Sequence, residues 1–300
     1  MTAPKSVWFA LLSVLLPVAA QGAACCGGGF ALPSLIAGDD KAQLSSSYSF
    51  SEVSVDNVDA RGIWRKWGEH QRVQTFRLEG AHLLSDRWQA GFSAPVVRRT
   101  LSGQTYSGLG DLAGSVAYEI LPDWDYNPFR PKGIAFFQVT APTGKSKAES
   151  EVGGLDSRGN GFWALGAGAL LSKSIRSVDG FLSFEAHRSL GKEYATSQLT
   201  GQLKPGWGGS AGLGGGYNTK LWRFGSSITW FYEDPVEIKG AINFAGSLER
   251  YATGVLSASF MPSDLWSGTL SYADQTLFGS PANTSLARTV ALLVQRRWGR

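Results

Sequence analysis

From Gln43 onward, apolar and polar side chains alternate with period two, the pattern of a β-strand whose two faces meet different surroundings. The stretch 221–233 is the clearest. Trp222, Phe224, Ile228, Trp230 and Tyr232 share one face, and Arg223, Gly225, Ser227 and Thr229 share the other. In 87–97, Trp88, Ala90, Phe92 and Val96 oppose Arg87, Gln89, Gly91 and Ser93. In 109–121, Leu112, Val116, Tyr118 and Ile120 oppose Asp111, Ser115 and Glu119. The same alternation runs through 181–190, 265–275 and the last dozen residues, where Val290, Leu292, Val294 and Trp298 share a face. Less regular candidates are 44–55, 73–83, 133–141, 162–172, 206–217 and 251–260. The pattern predicts about twelve strands.

Aromatic weight on one face suits lipid, and the opposite face suits water or a packed polar lumen. An open sheet in lipid would leave edge N–H and C=O groups unpaired at several kcal/mol each, so the strands must close into a ring. The expected fold is all-β: an antiparallel transmembrane β-barrel of about twelve strands, of the outer-membrane type. Connection lengths agree. With both termini on the periplasmic side, the inner turns at 85–86, 177, 219–220 and 263–264 are short. The outer loops at 57–71, 100–107, 143–160, 191–203, 234–247 and 279–285 are longer. One inner connection, 122–132, is long and rich in Pro, Asp and aromatics, so it forms a small cap or hides an element.

Composition narrows the class further. Only 17% of residues are charged, against roughly 25% in ordinary soluble domains. The 38 glycines argue against a helical bundle, and 11 Trp, 9 Tyr and 16 Phe argue against disorder. A net charge of +4 without a basic run gives nucleic-acid binding no support. Residues 1–24 read as an export signal, with Lys5 before an apolar stretch and Gly22, Ala23 and Ala24 suited to cleavage. Cys25 after small residues raises lipidation, although Gly22 stands where a lipoprotein signal usually carries Leu. Cys25 and Cys26 are adjacent and cannot staple distant parts of the fold. The expected organisation is therefore a signal (1–24), an N-terminal segment that could plug the lumen (25–42) and the barrel (43–300).

Three stretches carry a family likeness. They are Gly108-Leu109-Gly110-Asp111-Leu112, Ala141-Pro142-Thr143-Gly144-Lys145-Ser146, and Gly159-Asn160-Gly161-Phe162-Trp163 leading into Gly166-Ala167-Gly168. In this order and spacing the chain resembles the outer-membrane barrels of the phenol meta-degradation pathway, over roughly 105–175. The resemblance implies a bacterial outer-membrane barrel that takes up small hydrophobic or aromatic compounds. The partners it implies are outer-membrane lipid, such solutes, and the barrel-assembly machinery during biogenesis.

Strand parity points Arg77, Glu79, Asp111, Glu119, Glu185, His187 and Arg223 inward. Charges of both signs in one lumen form either a mutually satisfied network or a polar constriction that selects permeants. Catalytic signals are weak. The His187-x-Ser189 spacing is similar to that of the outer-membrane phospholipase, but that site faces lipid and His187 has lumen parity. Gly208-Gly209-Ser210-Ala211-Gly212 fits G-x-S-x-G without the strand–turn–helix context that motif needs. Three separated histidines, His70, His82 and His187, do not make a metal site, and no cofactor is expected. The glycine run 206–216 leaves a bare wall against which the apolar segment 30–36 could lie. A channel is the favoured function; a structural or phospholipase-like barrel and a soluble secreted β protein are the alternatives.

Overall fold

The computed structural model describes residues 32–299 apart from 69, 125–126, 147–148, 151, 153, 196–199 and 241–242. The export signal, Cys25, Cys26 and Phe30 lie outside the described residues. Twelve strands make one antiparallel ring: β1 (Asp40–Val58), β2 (Arg72–Leu83), β3 (Trp88–Leu101), β4 (Leu112–Leu121), β5 (Lys132–Ala141) and β6 (Ala164–Ile175). The ring continues through β7 (Val178–Ser189), β8 (Trp207–Asn218), β9 (Trp222–Glu233), β10 (Glu249–Phe260), β11 (Trp266–Asp274) and β12 (Thr284–Gly299). β12 returns to pair with β1, from Asp40↔Gly299 to Val58↔Thr284, and no sheet edge is left open. This is the closed twelve-stranded barrel that the alternation predicts.

Parity sorts the two faces. Tyr48, Phe76, Trp88, Phe92, Phe137, Phe184, Trp222, Phe224, Leu270 and Leu292 are exposed on the outside. Such a continuous apolar band is far larger than a soluble protein shows to water, and it suits lipid. At the end carrying Asp40 and Gly299, Trp88 packs on Tyr118 with centroids 4.9 Å apart, and Trp222 packs on Phe260 at the same distance. There the Arg296 guanidinium also stacks over Trp266 and Trp298. Aromatics and snorkelling arginine at that depth form an interfacial girdle.

The same end carries the tight turns 84–87, 176–177, 219–221 and 261–265. Its long exception, 122–131, holds no regular element among its described residues. It is tied to the barrel side chain by side chain. Lys173 Nζ donates to Asp123 at 2.9 Å and the Arg87 guanidinium lies 4.7 Å from the Trp124 ring. The Lys173 ammonium holds the Asp123 carboxyl below its usual range.

The opposite end carries the long connections, and two of them fold together into a second sheet. Lys192–Ala195, Thr200–Lys204, Glu237–Gly240 and Phe244–Ala245 form a four-stranded sheet of their own. The alternation did not predict it, because strands of two to five residues give too few repeats to read. Similarly, the predicted strand 109–121 is broken. A short strand, Gln104–Leu109, extends the β3 ladder, the Gly110 N–H bonds to the Pro95 carbonyl at 2.8 Å, and β4 starts at Leu112. Asp111 sits in the break.

Two apolar clusters lie inside the barrel. Val55, Val58 and Leu286, all at most 1% exposed, meet Tyr251 near the loop end. Ala117, Ile134 and Phe136 form the second, covered by Leu32 and Leu35 of the N-terminal segment. This explains why β5 alternates poorly. Its inward Ile134 and Phe136 are apolar because they meet that segment, while its outward Phe137 is apolar because it faces out.

Candidate functional site

The three sequence motifs meet at one carboxylate. Asp111 Oδ1 accepts the Gly144 N–H at 2.9 Å, and Oδ2 accepts those of Asn160 (2.6 Å) and Gly161 (3.2 Å). Thr143 Oγ1 donates to the Gly110 carbonyl at 2.6 Å and accepts from Leu112 N–H at 3.1 Å. Burial raises the Asp111 carboxyl above its usual range, against the three N–H groups that favour its ionised form. The glycines are steric requirements. A Cβ on Gly159 would fall within 2.4 Å of the Asp111 carboxylate, and Gly161 has φ +68° with Ser146 packed against it. Fully buried Ser146 gives its hydroxyl to Glu149 at 2.7 Å, and Glu149 receives Lys192 Nζ at 2.6 Å. Lys145 pairs with Asp156 at 2.5 Å. The described residues of connection 142–163 thus form a cap that borders the lumen cavity and is anchored at Asp111.

The remaining predicted lumen charges all point inward and each meets a partner of the opposite kind. Arg77 faces Glu79 at 3.8 Å, and Glu119 faces Lys132 at 3.4 Å. Arg223 makes a two-pronged contact with Asp179 at 2.9 and 2.5 Å, and Asn218 adds a third donor at 2.6 Å. His187 lies between two carboxylates, with Nδ1 2.9 Å from Glu185 and Nε2 3.0 Å from Glu233. Lys132, Asp179 and Glu233 were not singled out from the sequence, although each shares the parity of an inward neighbour on its own strand. Asp179 and Glu233 lie at strand ends, and Lys132 on the irregular β5, where alternation is weakest.

The bare wall of β8 serves these pairs. Gly208, Gly212, Gly214 and Gly216 face inward, flanked in register by β7 and β9. A Cβ on Gly208 would lie 2.2 Å from Glu233 Oε2 and 2.4 Å from His187 Nε2; one on Gly216 would lie 2.8 Å from the Arg223 guanidinium. The glycines make room for long charged side chains from adjacent strands. The expectation that segment 30–36 lies on this wall is corrected: described residues 32–36 run along the opposite side. The Ile36 N–H donates to Gln89 Oε1 at 2.7 Å and Gln89 Nε2 returns a bond to the Ile36 carbonyl at 3.3 Å. Gln43 Nε2 donates to Ser34 Oγ and to the Leu35 carbonyl, and Gly91 would clash with Ser34 O if it carried a Cβ. A chain segment approaches that wall because Gln43 and Gln89 satisfy its backbone there, which β8 has no side chains to do.

Between the N-terminal segment and the cap lies a cavity of about 100 Å³. Leu32, Pro95, Val97 and Phe162 give it apolar walls, and Arg77, Glu79, Gln138 and Asn160 give it polar ones. Gln138 is 4% exposed and its Oε1 has no hydrogen-bond partner among the described residues.

The catalytic motifs do not assemble. Both His187 ring nitrogens face carboxylates, and His187 and Ser189 point into the barrel, away from the lipid side. The G-x-S-x-G stretch lies within the β8 ladder, with no helix after it. Among the described residues no group of three or more His, Cys, Asp or Glu is placed to hold a metal ion.

The chain's fold is that of a solved outer membrane channel from Pseudomonas putida F1. The two superpose with a TM-score of 0.70, covering 89% of this chain and 97% of the channel, at 17% identity. Likeness to the toluene transporter TodX of Pseudomonas putida is more distant, with a TM-score of 0.46 at 11% identity over 88% of this chain and 90% of that one. The translocator domain of the autotransporter NalP from Neisseria meningitidis also gives 0.46, at 11% identity over 88% of this chain and 91% of that one. No family model matches the sequence.

Proposed function

We propose that this protein is an outer-membrane channel for small hydrophobic or aromatic compounds, with residues 32–39 acting as a plug and residues 1–24 as its export signal. The observation that carries this reading is the lumen itself. It is narrowed by the N-terminal segment and by the cap, and the space between them has apolar as well as polar walls. A polar water-filled pore has no use for Leu32, Val97 and Phe162 along that space. A solute with an apolar body does. The shared fold with an outer membrane channel supports the location and the transport class.

Charges in the lumen act as structure first. Arg77 with Glu79, Glu119 with Lys132, and Arg223 with Asp179 neutralise each other, so the path carries little net field. Only Arg77, Glu79 and Asp111 of the predicted set border the cavity, which makes them the candidates for selecting permeants. We read the protein as non-enzymatic, because His187 is held between two carboxylates instead of beside a nucleophile.

The test is liposome swelling with the purified chain, using small aromatic solutes against sugars of similar size. Faster swelling with the aromatic solutes is expected, and removal of residues 32–39 should raise both rates. Equal exclusion of every solute, with and without that segment, would overturn the channel reading.

A further inference from the structure

We propose that the outer wall of the barrel carries a binding site for the phosphorylated glycolipid of the outer leaflet, with Arg72 and Arg98 on neighbouring strands holding one of its phosphate groups. The proposal rests on the outer-membrane reading only in taking the end with the long connections as the outer one.

Three observations carry it. The first is direction and depth. Arg72 alternates with Phe76 on β2, and Arg98 with Val96 and Phe92 on β3, so both arginines stand on the exposed outer face. Arg72 opens β2 and Arg98 lies near the end of β3, both at the end with the long connections. Further along the same wall Phe76, Val96 and Leu109 are exposed and apolar. The arginines therefore stand where an apolar band gives way to headgroups.

The second is the absence of partners. Among the described residues, neither the Arg72 nor the Arg98 side chain makes an ion pair, a hydrogen bond or a ring contact. Other outward arginines are committed: Arg288 to Asp274 at 3.0 Å, Arg250 to the Ser280 carbonyl at 2.9 Å, and Arg188 and Arg296 over tryptophan rings. The carboxylate nearest in register is Glu52, which stands opposite Arg72 on one side and Arg288 on the other and is ion-paired with neither. Arg98 has no acidic neighbour in register. A free guanidinium fork matches phosphate, which it binds with two parallel N–H bonds.

The third is spacing and surroundings. Arg72 pairs with Thr100 and Arg98 with Gln74, so the arginines are diagonal neighbours, about 7–8 Å apart, and side chains of that length reach one anion between them. Ser107 stands on the other side of Arg98, and Thr105 beside Thr100. An amide and three hydroxyl groups thus surround the two cations, and these donate to and accept from the hydroxyl and amide groups of a sugar. A phosphorylated, acylated disaccharide fits every part of this wall. Its phosphate meets the arginines, its sugar meets Gln74 and the hydroxyls, and its acyl chains lie on Phe76, Val96 and Leu109. A phospholipid supplies the phosphate and the chains but not the sugar.

The full chain in detergent micelles is titrated with lipid A, with lipid A stripped of its phosphates, and with phosphatidylglycerol, and the bound lipid is counted by native mass spectrometry. We expect saturable binding of lipid A well above that of the other two. Each arginine at an anionic lipid surface contributes about fivefold in affinity, so Arg98→Gln should weaken lipid A about fivefold and Arg72→Gln with Arg98→Gln roughly thirtyfold. Arg176→Gln makes the same charge change in an exposed turn at the opposite end and should leave binding unaltered. Ser107→Glu sets a carboxylate opposite Arg98 without removing it, and should weaken lipid A even if the double variant does not fold. Equal affinity in the unmodified chain and these wall variants, an equal loss in Arg176→Gln, or phosphatidylglycerol binding as tightly as lipid A would overturn the site. Liposome swelling is read separately. A channel that swells liposomes but binds lipid A equally in every variant refutes this site alone; discrimination among the variants without swelling refutes the channel alone.

Discussion

Asp111 Oδ2 accepts the Asn160 backbone N–H at 2.6 Å, across 49 residues of chain. That bond joins the break before β4 to the far end of the cap, and with the Gly144 and Gly161 N–H groups it fixes the cap over the lumen.

Asp111→Asn keeps the shape but replaces one accepting oxygen with an NH₂ group. Hydrogen bonds to a charged acceptor contribute about 1.5–3 kcal/mol each, and at least one would be lost. We expect residues 143–160 to become sensitive to protease while the heat-modifiable gel mobility of the barrel persists. Protection equal to that of the unmodified chain would show that the anchor is redundant.

Two glycines separate packing from composition. Gly208→Ala forces the His187 and Glu233 side chains apart, since the new Cβ would lie within 2.4 Å of both. A loss of roughly 1–3 kcal/mol is expected from such overpacking. Gly114 faces outward with nothing within 4 Å of a Cβ, so Gly114→Ala should be neutral or slightly stabilising. Unfolding temperatures in one detergent decide it, and a reversed order would refute the role assigned to the β8 wall.

Gln89 holds the N-terminal segment by its main chain. Gln89→Ala would leave the Ile36 N–H and carbonyl buried without partners, at about 1–3 kcal/mol each. The segment should then leave the lumen part of the time, and single-channel recordings should show openings larger or more frequent than those of the unmodified protein. Identical recordings would mean that Leu32 and Leu35 hold the segment without Gln89.

Acid should loosen the 122–131 connection. Lys173 donates to Asp123, which depresses its pKa below the ordinary 3.8. A depressed acid contributes its stability above the unfolded value and loses it as pH falls through the lowered one. The Lys173 side-chain ¹⁵N resonance should therefore stay constant from neutral pH into the ordinary aspartate range and move only below it. In Asp123→Asn that step should be missing. The pair lies at the barrel end with both side chains partly exposed, so the effect on global stability should be small.

Much of this architecture can be read along the chain. A strand repeats every two residues, so Trp222, Phe224, Trp230 and Tyr232 reveal their common face without any knowledge of neighbours. The same counting turns Arg77, Glu119, Glu185, His187 and Arg223 inward. Short turns such as 176–177 against long connections such as 142–163 give the ring its two ends. The irregularity of β5 could be seen but not interpreted, since Ile134 and Phe136 are inward and apolar only because of what covers them.

Periodicity along the chain was enough for the twelve strands of the ring, for the facing of most of their side chains and for the closure of the sheet, because these follow from local alternation and from the cost of unpaired backbone in lipid. Only the tertiary structure decided which inward charges meet, where the N-terminal segment lies, and that three distant glycine-rich motifs share Asp111. Those relations depend on register and on the stagger between strands. A residue's partner across the barrel is therefore set by the whole ring and not by its neighbours in the chain.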